Sequence, residues 1–375
     1  MSIIIKEVTS RKELKEFVKF NIQLYKDNPY HVPVLIEDEL NTLDKTKNPA
    51  FEQCEAVYYL AYKEGKIVGR IAGIISHPSN KAWNEQAGRF GFVDFIDDDE
   101  VVNALFNAVE EWVKEKGMKS IYGPMGFTDM DHEGMLVMGF DQPGTTVTIY
   151  NHAYYPKQLE RIGYGKLKDW HEFKIYIPEA VPEKHLRIGE IVKKKYGLKI
   201  MKFTKTKDLL PYAQKVFLTL NQAFKPLFGF APLTQKQIDY YIKIYIPILR
   251  LDLVTLIVRE EDEEVVGFGI SLPNLTEAMQ KAKGKMLPFG WYHLLKTLKS
   301  KPKVVDLYLT GVLPEYQGKG VNALLFNDLI PIYKNLGVVY AESNPELETN
   351  SAVQAQWDYF KREHHKTRRA YGKEL

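Results

Sequence analysis

The sequence has one cysteine, no apolar run long enough to cross a membrane, and no excess of either charge. A lone Cys54 cannot form an intramolecular disulfide, which fits a reducing compartment, and the chain is expected to be cytoplasmic. The N-terminus offers only Ile3, Ile4 and Ile5 before charge resumes, far short of a signal-peptide core or a membrane span. Fifty-one basic residues against forty-eight acidic ones give a formal charge of +3, too near balance to mark a nucleic-acid binder. No stretch is low in complexity, and the basic runs Lys281 to Lys303 and Lys361 to Arg369 read as solvated faces. Metal-ligand spacing is also missing. The segment Asp129 to Met135 gathers acids around His132 without the second histidine of a helical zinc site, so no metal is expected. No nucleophile motif is present, and Cys54 has no evident charge partner.

What is present is enough chain for two cores: 375 residues, 45% hydrophobic and 26% charged. An internal repeat sets the division. The segment VVNALFNAVEEWVKEKGMKSIYGP begins at Val101 and GVNALLFNDLIPIYKNLGVVYAES begins at Gly320. In both, Val-Asn-Ala-Leu opens a helix, a Phe-Asn pair follows, a glycine (Gly117, Gly337) stops it, and a short apolar strand runs to a tyrosine (Tyr122, Tyr340). Upstream, VYYLAYKEGKIVGRIAGIIS and LVTLIVREEDEEVVGFGISL both read as hairpins. Downstream, Asn151 or Asn350 precedes a helical stretch and a last strand, KLKDWHEFKIYI or KTRRAYGKEL. The pattern breaks near Pro178 to Pro182, which divides the chain into units 1–180 and 181–375. Each unit is expected to be α/β, with a central mixed sheet, antiparallel early and parallel at the strand-helix-strand step, and helices on both faces.

The loops opening the two matched helices differ in charge. The second reads PEYQGKG (Pro314 to Gly320); the first reads DFIDDDE, with Asp97, Asp98, Asp99 and Glu100 at the helix start. A helix start presents unpaired amides and the positive end of its dipole to an anion. Gly318 and Gly320 let the backbone approach a phosphate, Lys319 adds a cation, and Gln317 is polar without repelling one. Four carboxylates at the first loop oppose the same anion, so only the second unit is expected to hold a pyrophosphate.

The run Val312 to Gly320 resembles the coenzyme-binding motif of the GCN5-related N-acetyltransferase (GNAT) superfamily: glutamine or arginine, two residues, glycine, one residue, then glycine or alanine. Gln317 and Gly320 fit, and Asn322 stands where the last glycine or alanine is usual. The chain is thus similar to a tandem GNAT protein with a degenerate N-terminal copy. The resemblance implies acetyl-CoA or another acyl-CoA as co-substrate, with its pyrophosphate at Gln317, Gly318, Lys319, Gly320, Val321 and Asn322. It implies pantetheine along Leu309, Thr310, Gly311 and Val312, and an acyl transfer to a small-molecule or peptide amine by direct attack, the thioester being already activated. A backbone amide near Val312 would polarise the carbonyl.

An attacking amine must be neutral, and Glu342, at the end of VVYAES, is the preferred base. The competing reading makes it a cap of the following turn, and Asp306 lies too early in its strand to compete as base. Family members place a tyrosine seven residues after an asparagine like Asn350; here Trp357 stands there, and an indole N–H is a poor acid. Tyr359 or Tyr371 substitutes, or the thiolate leaves unaided. That departure keeps a second function class open, a non-catalytic acyl-CoA sensor or scaffold. Two aromatic and apolar insertions, Phe224 to Leu249 and Lys285 to Leu295, either wall the acceptor or acyl pocket or pack the units.

Overall fold

The structure, a computed structural model, describes residues 2–375. Along the chain run β1 (Ile4–Glu7), α1 (Arg11–Leu24), α2 (Ile36–Leu43), β2 (Cys54–Lys63), β3 (Lys66–Ser76), α3 (His77–Trp83), β4 (Ala87–Phe95), α4 (Asp99–Glu115), β5 (Ser120–Gly123), β6 (Met135–Met138), α5 (Tyr154–Arg161) and β7 (Gly165–Tyr176). There follow α6 (Glu183–Tyr196), β8 (Leu198–Met201), α7 (Thr206–Ala223), α8 (Gln235–Tyr245), β9 (Val254–Arg259), β10 (Val265–Pro273), α9 (Thr276–Ala282) and α10 (Gly290–Lys299). The last elements are β11 (Val304–Val312), α11 (Asn322–Leu336), β12 (Tyr340–Ser343), β13 (Glu346–Leu347), α12 (Ser351–Gln356) and β14 (Arg362–Glu374). Among the described residues no helix is long and apolar enough to cross a membrane.

Two compact units result, and neither is one continuous segment. The first is Met1–His171 with Thr276–Leu294 and His365–Leu375; the second is Glu172–Leu275 with Leu295–His364. In the first unit β1, β2, β3 and β4 pair antiparallel in sequence, β4 pairs parallel with β5, and β5 pairs antiparallel with β14. In the second, β8, β9, β10 and β11 pair antiparallel, β11 pairs parallel with β12, and β12 pairs antiparallel with β7. The mixed α/β architecture expected from the sequence is therefore present in both, with the same strand order.

The last strand of each sheet differs from the order along the chain. The sequence pattern gives each copy its own closing strand, yet Tyr371–Glu374 of the chain's end pairs with β5, and Lys174–Tyr176 of the middle segment pairs with β12. Alternating apolar residues specify which face of a strand is buried but not which edge it joins, so the exchange leaves no mark in the sequence.

Helix faces explain the packing. In α4, Val101, Leu105, Val109 and Val113 recur every four residues, all fully buried, and pack with Phe90, Phe95 and Ile71 on one face of the first sheet. Phe17, Val18 and Leu40 from α1 and α2 cover its other face over Tyr58 and Ile74. In the second unit Leu324, Leu325, Leu329 and Tyr333 of α11 do the same work. Gly117 (φ +79°) and Gly337 (φ +78°) end the matched helices in the left-handed conformation that favours glycine.

Deleting Tyr371–Leu375 is predicted to strip hydrogen-exchange protection from Ser120–Gly123 and to leave Tyr340–Ser343 protected. Loss at Tyr340–Ser343 instead would contradict the strand assignment.

Candidate active site

The second unit's parallel pair is short. β11 and β12 pair only over Val304–Leu307 and Tyr340–Ser343; after that the strands separate, while β11 continues against β10 to Val312. A bulge between Ile270 and Ser271 leaves Tyr308 as the extra residue on β11, where the separation starts. The freed edge carries side-chain partners in place of a strand: Asn344 Nδ2 donates to the Tyr308 carbonyl, and Gln317 Nε2 donates to the Val312 carbonyl at 2.9 Å. Leu309, Thr310, Gly311 and Val312 all lie on this stretch.

Immediately beyond, the chain turns through Gly318 (φ +70°) and Gly320 (φ +82°) into α11. The two glycines serve different ends. A Cβ on Gly318 would meet nothing within 4 Å, whereas one on Gly320 would lie 2.6 Å from Ile188 Cγ2, so Gly320 lets α6 approach the loop closely. Ala323 and Leu324 give their N–H groups to the Gly320 and Val321 carbonyls and Lys319 gives its own to the Tyr316 carbonyl, which among the described residues leaves the Gly318, Gly320, Val321 and Asn322 amides for anything lodged in the turn. Exposed Lys319 holds its ammonium over the rings of Tyr196 and Tyr316, 5.6 and 5.9 Å from their centroids. Asn322 Nδ2 donates to Gln356 Oε1 at 3.0 Å, tying the start of α11 to α12.

Two apolar cavities flank the separated strands. Leu307, Thr310 and Ala341 with Phe326, Tyr333 and Trp357 line the first, under α11 and α12. Phe217, Tyr245, Leu249, Ile270, Tyr308 and Leu309 line part of the second, under α7 and α8. Because Gly269 and Ser271 face the first and Ile270 the second, they sit on opposite faces of the sheet. Among the described residues the polar side chains lining the second are Tyr245 and Tyr308, and burial pushes the Tyr308 phenol up to about 12. The insertion from Phe224 to Leu249 thus supplies cavity wall.

The titratable groups nearby fall into distinct settings. Glu342 is buried on β12, in register with Asp306 of β11 and Lys174 of β7. Asp306 accepts from Asn274 Nδ2 at 2.8 Å. Asn350 caps α12, its side chain accepting from the Val353 N–H. Tyr359 is 48% exposed, its hydroxyl 2.5 Å from Lys184 Nζ, and it is not among the residues lining either cavity. Tyr371 belongs to the first unit, where it donates to Glu160 at 3.1 Å.

Sequence reasoning missed Glu346. Trp357 Nε1 donates to its Oε1 at 2.7 Å, and its Oε2 is shut from solvent with no partner. Burial pushes this carboxyl up to about 8, against the opposing pull of the Trp357 hydrogen bond and the Arg362 charge, which favours its protonated form. Trp357, buried and lining the first cavity, is its only donor among the described residues. The signal available was the indole itself, since a buried indole N–H needs an acceptor.

The first unit has the same frame with the openings filled. Asp98 caps α4, accepting from the Glu100 and Val101 N–H groups, and the Lys63 ammonium 2.5 Å away holds its carboxyl below the usual range. Gln158 Nε2 donates to Asp97 and Asp99, both at 2.9 Å. On β4, Tyr155 Oη accepts from the Phe95 N–H at 3.0 Å and Tyr154 Oη donates to the Phe95 carbonyl at 2.6 Å.

Residues 218–358 match the model of the acetyltransferase (GNAT) family. The bacterial ceramide synthase of Caulobacter vibrioides is 30% identical over 377 residues, spanning 98% of this chain and 96% of that protein. The chain belongs to the GNAT family. Protein YghO of Escherichia coli is 28% identical over 383 residues, 99% of this chain and 95% of its own. The fold of a tandem GNAT protein from the clavulanic acid biosynthesis pathway matches with a TM-score of 0.55 at 11% identity, covering 100% of this chain and 98% of that one. GNAT proteins are acyltransferases that draw on an acyl-CoA, and the loop and separated strands described above lie in the second unit, where the family model matches.

The two loop glycines should be separable by stability. Gly318→Ala is expected to cost about 1 kcal/mol from φ alone. Gly320→Ala should cost about 2–3 kcal/mol, because its Cβ also collides with Ile188. Urea denaturation of both variants checks the order.

Proposed function

We propose that this GNAT protein is an N-acyltransferase that moves an acyl group from acyl-CoA to a long-chain amine. The observation that carries this reading is the pair of apolar cavities on opposite faces of the sheet, both reaching β11 where it parts from β12. A ceramide is the N-acyl derivative of a long-chain amino alcohol, so the likeness to a ceramide synthase supports an acceptor of that class. The coenzyme enters from the α11 side, its pyrophosphate on the amides of Gly318, Gly320, Val321 and Asn322 with the Lys319 ammonium beside them, and its pantetheine along Leu309 to Val312. Asn344 and Gln317 release the Tyr308 and Val312 carbonyls to it. The acceptor's chain takes the cavity under α7 and α8, with Tyr245 and Tyr308 as the polar groups near its head.

The reaction then needs two proton movements. Glu342 draws the proton from the attacking amine, whose lone pair forms the C–N bond at the thioester carbon. When the C–S bond breaks, its electron pair stays on sulfur, and Glu346, held by Trp357, gives that sulfur its proton. An acid near pKa 8 is close to a thiol's own value of about 8.5, which suits the exchange.

Release of free CoA measured with amines of increasing chain length tests the substrate class. Long-chain amino alcohols should turn over, and turnover with none of them would reject it. In calorimetric titration with acyl-CoA, Lys319→Glu should weaken binding about tenfold, from reversed charge beside the diphosphate. Combined alanine substitution of Asp97, Asp98 and Asp99 should leave binding unaltered.

The pH profile reports on Glu346. Activity needs its protonated form, so kcat/KM should fall above about pH 8 as the group ionises. Glu346→Gln keeps an acceptor for Trp357 but cannot give up a proton; kcat should drop about 10²–10⁴-fold and the alkaline limb disappear. If Tyr359→Phe removes the limb and Glu346→Gln does not, the tyrosine is the donor.

A further inference from the structure

The insertion from Lys285 to Leu295 does not line either cavity. It forms the tip of a segment, Thr276–Leu294, that packs within the first unit. The base of this segment is firmly held. Thr276 Oγ1 donates to the Gly144 carbonyl at 2.9 Å, Gln280 Nε2 to the Pro29 and His31 carbonyls at 2.8 and 3.0 Å, and the Ile36 N–H to the Gly284 carbonyl at 2.9 Å. A Cβ at Gly290 would lie 1.9 Å from the Lys285 carbonyl oxygen, so the chain folds tightly back on itself there.

The tip presents apolar side chains to water. Leu287 is 74% exposed and Phe289 69%, with Met286, Trp291 and Tyr292 roughly half exposed beside them. The Trp291 N–H is taken internally by the Pro288 carbonyl at 3.0 Å, which leaves its ring as an apolar surface. Five large apolar residues displayed within seven positions are not what an isolated soluble surface carries. Around them are cations. Lys281, Lys283 and Lys285 are exposed; Lys281 pairs with Glu277, while Lys283 and Lys285 make no ion pair among the described residues.

We propose that the tip from Met286 to Tyr292 seats the protein on an anionic lipid bilayer. Leu287 and Phe289 enter the acyl region, Trp291 and Tyr292 lie at headgroup depth where amphipathic rings are favoured, and Lys283 and Lys285 meet lipid phosphates. A second copy of this chain fits less well. A two-fold contact through the tip would set the same lysines of both copies against each other. A bilayer of anionic lipid supplies the opposite charge and a deformable apolar phase. The inference stands on the exposure of this segment alone and needs no statement about the reaction.

Co-sedimentation of the full chain with vesicles tests it. Vesicles of phosphatidylglycerol mixed with phosphatidylcholine should bind the protein and shift its tryptophan emission to shorter wavelength, a shift absent in Trp291→Phe. Vesicles of phosphatidylcholine alone should bind about tenfold more weakly, and added salt should narrow the difference. Leu287→Ser with Phe289→Ser should lower binding to the anionic vesicles at least about tenfold, with thermal unfolding unchanged because both side chains are exposed. Binding to neither vesicle type, or binding indifferent to the double substitution, would overturn the proposal. So would a light-scattering mass of two chains that falls to one in the double variant without any vesicle binding.

Discussion

Backbone N–H and C=O groups withdrawn from water must be paired, and the short parallel strand pair in each unit creates a place where they are not paired by a neighbouring strand. β4 and β5 run together only over Ala87–Arg89 and Ser120–Tyr122, and β11 and β12 over one residue more. Beyond those points a strand edge is open in both copies. What fills it decides what each unit can do. In the first, Tyr154 and Tyr155 bond both polar groups of Phe95, and the Phe90 carbonyl accepts from the Met125 N–H. Those partners come from packed elements, since Tyr155 is fully buried in the core. In the second, the partners are the amide side chains of Asn344 and Gln317, which reach the edge from loop and strand ends. Amide side chains on such positions are displaced at less cost than a tyrosine packed in the core.

The helix starts follow the same rule. At α4 the protein supplies its own anion, Asp98, and anchors it with Lys63. At α11 Val321 caps without any side-chain bond, and the glycines keep side chains out of the turn. A duplicated frame has thus diverged through a few polar substitutions with the hydrophobic scaffold kept, which accounts for a repeat still readable in Val-Asn-Ala-Leu and the two stop glycines.

This division also explains what the sequence could disclose. The charge contrast between Asp97–Glu100 and Gln317–Gly320 was legible because a helix start acts on its immediate chain neighbours. The hairpins, the matched helices and their stops were legible from periodicity for the same reason. The exchange of closing strands was not, because neither Tyr371–Glu374 nor Lys174–Tyr176 carries a residue pattern that ties it to one sheet's edge. Nor were the tyrosine plug at Phe95 and the Trp357–Glu346 pair, which join residues through space with no spacing rule. Substituting tryptophan at position 357 looked like the loss of an acid. The structure gives that indole a buried carboxyl partner, Glu346.

Burial links the cavity under α11 and α12 to that carboxyl. An apolar group seated there beside Trp357 would exclude water further, and desolvation is the largest cause of Glu346's raised pKa. Filling the cavity therefore favours the protonated carboxyl more strongly than the free protein does. Linkage requires the converse: a chain that binds better to the protonated site holds its proton to higher pH. In the folded protein the raised pKa means that the native state carries more protons than the unfolded chain from about pH 4.5 to about 8, so this group's effect on stability declines as pH rises through that window. An apolar group in the cavity offsets that decline by occupying the space that makes ionisation costly, so the occupancy of this cavity and the protonation of Glu346 are coupled through the Trp357 ring that lines one and bonds the other.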